Sequence, residues 1–319
     1  MKVLCLHGRG TSGAIFKSQT SSLRSRLTDL NLEFDFLDGP YPSSPAPGID
    51  LFYPGPYYSY FDETPQNTTF ETIETTRAWL SDIITQRGPY DLVLTFSQGA
   101  ALAAGMLLLH EIESQSQLRF QKEASRSGAI INGDADRDKD HTHKPPFKSA
   151  IFICGGAPLP LLEHIGYTIP TATKERDLAS RAALSSMAGS AAILSRGSAR
   201  WTANGLDMEF PSTTKSSPYS YNHLSNGSLQ LTFNREDDIR REISGHGHGG
   251  LRVKISIPTV HIYGERDPRY IAGIQLSEVC EKARRKVYNH GGGHEIPRFE
   301  AVSGAIADLV RWAVRAAGE

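Results

Sequence analysis

The sequence predicts an α/β fold, with a shortened, mostly parallel sheet flanked by helices on both faces. Two observations carry this. Apolar, β-branched stretches alternate with amphipathic helical patterns, and one apolar run passes through a serine straight into a small-residue helix. The predicted strands are Lys2 to Leu6, Glu33 to Leu37, Asp91 to Phe96, Ser149 to Cys154 and Ile257 to Tyr263, with a weaker sixth at Lys286 to Asn289. The predicted helices are Phe16 to Leu27, Phe70 to Gln86, Gln98 to Ile112, Ile274 to Arg285 and Phe299 to Ala316. Each places apolar residues on one face, as Ile73, Leu80, Ile83 and Ile84 do in the second.

At 319 residues the chain suits one large domain, 1–319, with a sizeable core. Two stretches interrupt the rhythm. Residues 113–148 are rich in Gln, Ser, Lys and Asp and read as a polar insert. Residues 195–250 mix Ser, Asn, Gly and scattered charge, and an insert of that length is expected to act as a lid over a pocket. Lys and Arg number 34 against 35 Asp and Glu, so a net charge of −1 makes no electrostatic case for nucleic acid or an anionic membrane. The apolar run after Met1 is too short for a signal peptide, and no run approaches a membrane span. Three widely separated cysteines, Cys5, Cys154 and Cys280, suit free thiols in a reducing compartment. A soluble cytoplasmic protein is expected.

The chemistry-bearing stretch is Thr95-Phe96-Ser97-Gln98-Gly99. A strand that turns sharply through a serine into a helix is the layout of a nucleophile elbow, with small residues wanted around the turn. Gly99 and Ala100 supply them on one side, whereas Thr95 stands where the pattern has its first glycine. Such a threonine either crowds the elbow or shifts it slightly. In a doubly wound sheet, functional residues collect beyond the carboxyl ends of strands. His7-Gly8-Arg9-Gly10 follows the first strand, Gly264-Glu265-Arg266-Asp267 follows the fifth, and His290-Gly291-Gly292-Gly293-His294 follows the last. The order Ser97, Asp267, His294 is that of a serine triad on an α/β sheet. A serine hydroxyl needs a neutral imidazole to take its proton, and the imidazole needs a carboxylate to hold its tautomer and offset its charge. A tetrahedral oxyanion needs preformed N–H donors, for which the backbone amides of Arg9 and Gln98 are the candidates. No cofactor is called for.

The chain resembles the fungal serine hydrolase family of α/β-hydrolases, and more distantly the acyl-protein thioesterases. The matching pieces are Leu4 to Gly10, Phe36 to Pro40, Pro54 to Tyr58, Phe96 to Ala100, Ile153 to Pro158, Ile257 to Gly264 and Gly293-His294. They cover nearly the whole chain in order, outside the two inserts. The resemblance implies a Ser97, Asp267, His294 triad in an esterase or thioesterase. It also implies an ester or acyl thioester substrate, with release of a polyketide-type chain from an acyl carrier protein. Transfer or cyclisation of the same acyl group, and a non-catalytic binding module, are the alternatives.

Several other residues invite readings. His7 is expected to brace the first loop rather than act as a base, and His290 and Glu265 are the rivals of His294 and Asp267. Cys154 is expected to pack rather than attack. The run Asp134, Asp136, Asp138, Asp140 lacks the glycine and glutamate of a calcium loop, and no metal site is expected there, at His141 and His143, or at His246 and His248. The aromatic run Tyr53 to Phe61 should pack on the sheet, with Tyr57 and Tyr58 as candidate acyl contacts.

Overall fold

The computed structural model describes residues 1–61, 70–126, 144–186 and 253–318. Six strands, β1 (Lys2–Leu6), β2 (Glu33–Leu37), β5 (Leu92–Phe96), β6 (Ser149–Ile153), β7 (Thr259–Tyr263) and β8 (Arg285–Asn289), form one sheet in the order β2-β1-β5-β6-β7-β8. Every neighbouring pair is parallel. A two-stranded antiparallel pair, β3 (Tyr41–Pro42) and β4 (Tyr58–Ser59), stands apart from it.

The central strands β5, β6 and β7 are buried along their whole length, as continuous apolar runs of a parallel sheet must be. The edges β2 and β8 are more exposed. Alternation divides the side chains between two cores. Leu4, Leu6, Val93, Ala150 and Phe152 face one, shared with α3 (Phe70–Arg87), α4 (Gln98–Arg126) and α5 (Leu159–His164). Val3, Cys5, Leu92, Leu94, Ile151 and Ile153 face the other, shared with α1 (Gly13–Gln19), α2 (Ser21–Ser25) and α8 (Glu300–Ala316). Each fully buried Leu or Ile there contributes about 2 kcal/mol through area removed from water. The chain leaves β1 toward β2 on one side and leaves β5 toward β6 on the other. Loops after β1 and β5 therefore diverge and leave a crevice at the carboxyl edge.

The predicted strands all form, but several helices differ in extent. The Phe16 to Leu27 pattern splits into α1, capped by the Ser12 hydroxyl accepting from Ile15 N, and α2. The predicted Gln98 to Ile112 helix runs on to Arg126, because a polar surface helix carries no apolar stripe to mark its end. The predicted Ile274 to Arg285 helix occurs as α7 (Tyr270–Glu278), since Arg285 is needed to pair with Thr259 in the sheet. Two helices were not predicted: α5, and α6 (Thr171–Ser186). Residues 127–143 of the first insert and all of 195–250, with His141, His143, His246, His248 and the aspartate run, lie outside the described residues. Among the described residues no helix is long and apolar enough to cross a membrane, and the three cysteines are free and buried.

Candidate active site

Ser97 sits between β5 and α4 with φ +51°, a left-handed conformation that costs a non-glycine residue about 1–2 kcal/mol. The elbow is held from both sides: Ser97 N donates to Ile153 O at 2.9 Å and Gly99 N to His7 O at 3.2 Å. Gly99 is required, because a Cβ there would lie 2.5 Å from Leu6 O. Thr95 is accommodated. Its side chain is buried on the α4 face, and its hydroxyl donates to Ile151 O on β6 at 2.9 Å.

The loops after β7 and β8 are laced together. Gly264 lies so close to Gly292 that a Cβ would come 2.1 Å from its carbonyl oxygen. Arg266 N donates to Gly292 O at 3.0 Å and Arg266 Nε to Gly291 O at 2.8 Å. Asn289 Oδ1 accepts from Glu265 N and Gly291 N at 3.0 and 2.9 Å. This brings the predicted residues together. His294 Nδ1 lies 2.8 Å from Asp267 Oδ2, and His294 Nε2 lies 2.9 Å from Ser97 Oγ. Asp267 is fully buried, and its second oxygen accepts from Arg269 N at 2.7 Å. The rivals are turned elsewhere: Glu265 is exposed, and His290 aims Nε2 at Cys154 Sγ, 4.0 Å away, with its pKa lowered mainly by burial.

The first loop is fixed by a buried neutral histidine. His7 Nε2 accepts from Gly39 N at 3.0 Å, so its proton is on Nδ1, which donates to Gly8 O at 2.7 Å. The Thr11 hydroxyl donates to the same carbonyl at 2.6 Å. Burial lowers the His7 pKa to about 4. Gly8 packs against Phe96 and the Ser97 side of the elbow, where a Cβ would lie 2.7 Å from the Phe96 ring. Tyr58 clamps the loop from outside, accepting from Gly10 N at 2.9 Å and donating from its own N to Thr11 O at 2.7 Å.

Gln98 opens α4, so its backbone N–H is one of the four that the helix itself cannot satisfy, at the end that favours negative charge. Its side chain has a separate task unforeseen from the sequence: Oε1 accepts from Tyr60 N at 2.9 Å and Nε2 donates to Ser59 Oγ at 3.0 Å. Arg9 has an exposed side chain. Tyr57 is half-buried and donates its hydroxyl to Tyr53 O at 2.7 Å, and Tyr58 is half-buried as well. Also unforeseen is the buried Arg269, whose Nη1 meets Asp177 Oδ1 on α6 at 2.6 Å and Ser180 Oγ at 2.9 Å. With the partners 92 positions apart in the sequence, no local pattern could have announced it.

Among the described residues, the one group of His, Cys, Asp and Glu with atoms close enough for a metal ion is Cys154, Asp267 and His294. Two of these are already bonded to one another, and the Cys154 thiol is kept protonated, its pKa raised by burial and then by the charge of Asp267.

A parallel sheet with a serine elbow facing a histidine and a buried carboxylate defines the protein as a serine hydrolase of the α/β-hydrolase class. Within that class the chain belongs to the serine hydrolase (FSH1) family, whose profile matches residues 1–193 and 210–306. It is similar to Esterase FPY3 of Fusarium mangiferae, 25% identical over 313 residues that cover 98% of this chain and 94% of that one. A shorter stretch of 70 residues is 47% identical to the dihydromonacolin L-[lovastatin nonaketide synthase] thioesterase of Aspergillus terreus, covering 20% of this chain and 26% of that one. Among solved structures, Arabidopsis thaliana SOBER1 aligns over 98% of this chain and 99% of its own, with 14% identity and a TM-score of 0.40.

Proposed function

We propose that the protein hydrolyses an ester or thioester through an acyl-enzyme on Ser97. The observation that carries this is the single imidazole standing 2.9 Å from Ser97 Oγ and 2.8 Å from Asp267 Oδ2. Ser97 Oγ attacks the acyl carbon while His294 Nε2 takes its proton. Asp267 keeps the other proton on Nδ1 and stabilises the imidazolium. The oxyanion is received by the N–H groups of Arg9 and Gln98. Supporting the first donor, Gly8 O is drawn toward His7 and Thr11, and in a trans peptide the next N–H points the opposite way. Supporting the second, Gln98 N is an end-of-helix donor. His294 returns its proton to the leaving thiol or alcohol, and water then attacks the acyl-enzyme by the same route.

The substrate we infer is a polyketide-type acyl chain, held as a thioester on an acyl carrier protein. A relative named as a thioesterase for a nonaketide synthase supports the thioester, beside relatives named as esterases. A fluorophosphonate probe tests the nucleophile. It should modify Ser97 in the wild type, located by mass spectrometry, and leave Ser97→Ala unlabelled. A folded wild type that resists the probe would leave a non-catalytic binding module as the better account. An acyl-thioester analogue and its oxygen ester, compared by kcat/KM, then test the substrate class.

A further inference from the structure

We propose that Cys154 is a positioning residue for His294, a reading that rests on Ser97 being the nucleophile. Cys154 lies one residue beyond β6 and has φ +48°, so two left-handed non-glycine residues stand side by side at the ends of adjacent strands. Such a conformation persists only where its surroundings over-determine it. Gly155 and Gly156 follow immediately, yet the left-handed position itself carries a side chain.

That turn aims the thiol beneath the acid–base pair. Cys154 Sγ, an Asp267 carboxylate oxygen and a His294 ring nitrogen all lie within 4.8 Å of one another. Sγ donates to Glu295 O at 3.5 Å and lies 4.0 Å from Gly293 O. One thiol therefore touches the backbone on both sides of His294. The glycine run before His294 gives this loop little stiffness of its own, since Gly291 and Gly293 have open space around them. Binding Glu295 O and packing against Gly293 O, the thiol sets the angle at which His294 Nε2 meets Ser97 Oγ. The other charged or titratable groups facing this cluster are His290, Glu295, Arg266 and Arg269.

Three variants of the full chain test this, with active sites counted by phosphonate titration and a p-nitrophenyl ester as substrate. Cys154→Ala should lower kcat about tenfold with KM within about twofold. Cys154→Ser, which keeps a donor for Glu295 O, should recover to within about threefold of wild type. Cys154→Gly relieves the left-handed strain and should be stable, yet as slow as Cys154→Ala. If the alanine and glycine variants keep the wild-type kcat, or if serine performs no better than alanine, the positioning role is wrong. Failure of wild-type labelling would instead strike at Ser97 itself.

Discussion

Replacing Asp267 by asparagine changes one atom and should nearly abolish turnover. Asp267 Oδ1 accepts from Arg269 N at 2.7 Å, and only an oxygen can fill that place. In Asp267→Asn the amide nitrogen must therefore take the Oδ2 position, 2.8 Å from His294 Nδ1. An N–H there donates, so Nδ1 must become an acceptor and the ring proton moves to Nε2. That proton then points at Ser97 Oγ, 2.9 Å away, and the ring cannot receive the serine proton. A histidine held in the wrong tautomer costs about 10⁴ in kcat, or about 5.5 kcal/mol of barrier. Steady-state hydrolysis of a p-nitrophenyl ester and the phosphonate labelling rate should both fall by this order, with the thermal midpoint little changed. Glu265→Gln, at an exposed carboxylate two residues away, should match the wild type. A folded Asp267→Asn enzyme with more than a tenth of wild-type kcat would refute the reasoning.

Two further expectations follow from buried polar groups. Thr95→Gly removes the hydroxyl bond to Ile151 O and adds backbone freedom in a central strand, so it should lower stability by about 1–3 kcal/mol while kcat stays within about threefold. A tenfold gain in kcat would show that Thr95 crowds the elbow. Burial holds His7 and His261 neutral, with pKa values lowered to about 4 and about 3. The unfolded chain takes up these protons near pH 6.5 and the native chain does not, so the stability present above that pH is lost as the pH falls. Each group should cost about 2 kcal/mol between pH 7 and 5. Urea midpoints should show this, and His261→Leu should remove its share. A wild-type midpoint independent of pH over that range would contradict it.

Much of this architecture was legible because the residues that matter follow strong local signals. A buried parallel strand must be apolar along its length, so β5, β6 and β7 stand out, and the residues just beyond them are candidates by position alone. Ser97 and Asp267 are read that way, whereas His294 follows the weaker, exposed edge strand β8 and is read from the glycine run before it. Long-range pairings left no such trace. The Arg269–Asp177 pair, the Gln98 amide beneath Tyr60 and the thiol of Cys154 behind His294 each join elements distant in sequence. Helix ends were poorly legible for another reason. The polar second half of α4 carries no stripe, and Arg285 belongs to a strand because Thr259 pairs with it.

The site's geometry is rigid where the proposed proton transfer takes place. Ser97 N–H continues the parallel ladder into Ile153 O, and Cys154 N–H continues it into Ile262 O at 2.7 Å. Each left-handed residue is thus pinned by the strand beside it, and neither can relax without breaking a buried hydrogen bond, at about 1–3 kcal/mol. That exceeds or matches the cost of the left-handed conformation, so the strained elbow is the stable arrangement. Beyond β7 and β8 the same end is reached differently, by glycine backbones in direct contact and by Arg266 and Asn289 spanning the two loops. On the acid side Arg269 carries the restraint further, from Asp267 to Asp177 on α6, with its guanidinium passing over Gly156 where a Cβ would lie 2.4 Å from Nη2. The carboxylate is therefore held by its own loop, by the histidine loop and, through Arg269, by the middle of α6. A substitution at any of the three should act on kcat before it acts on KM.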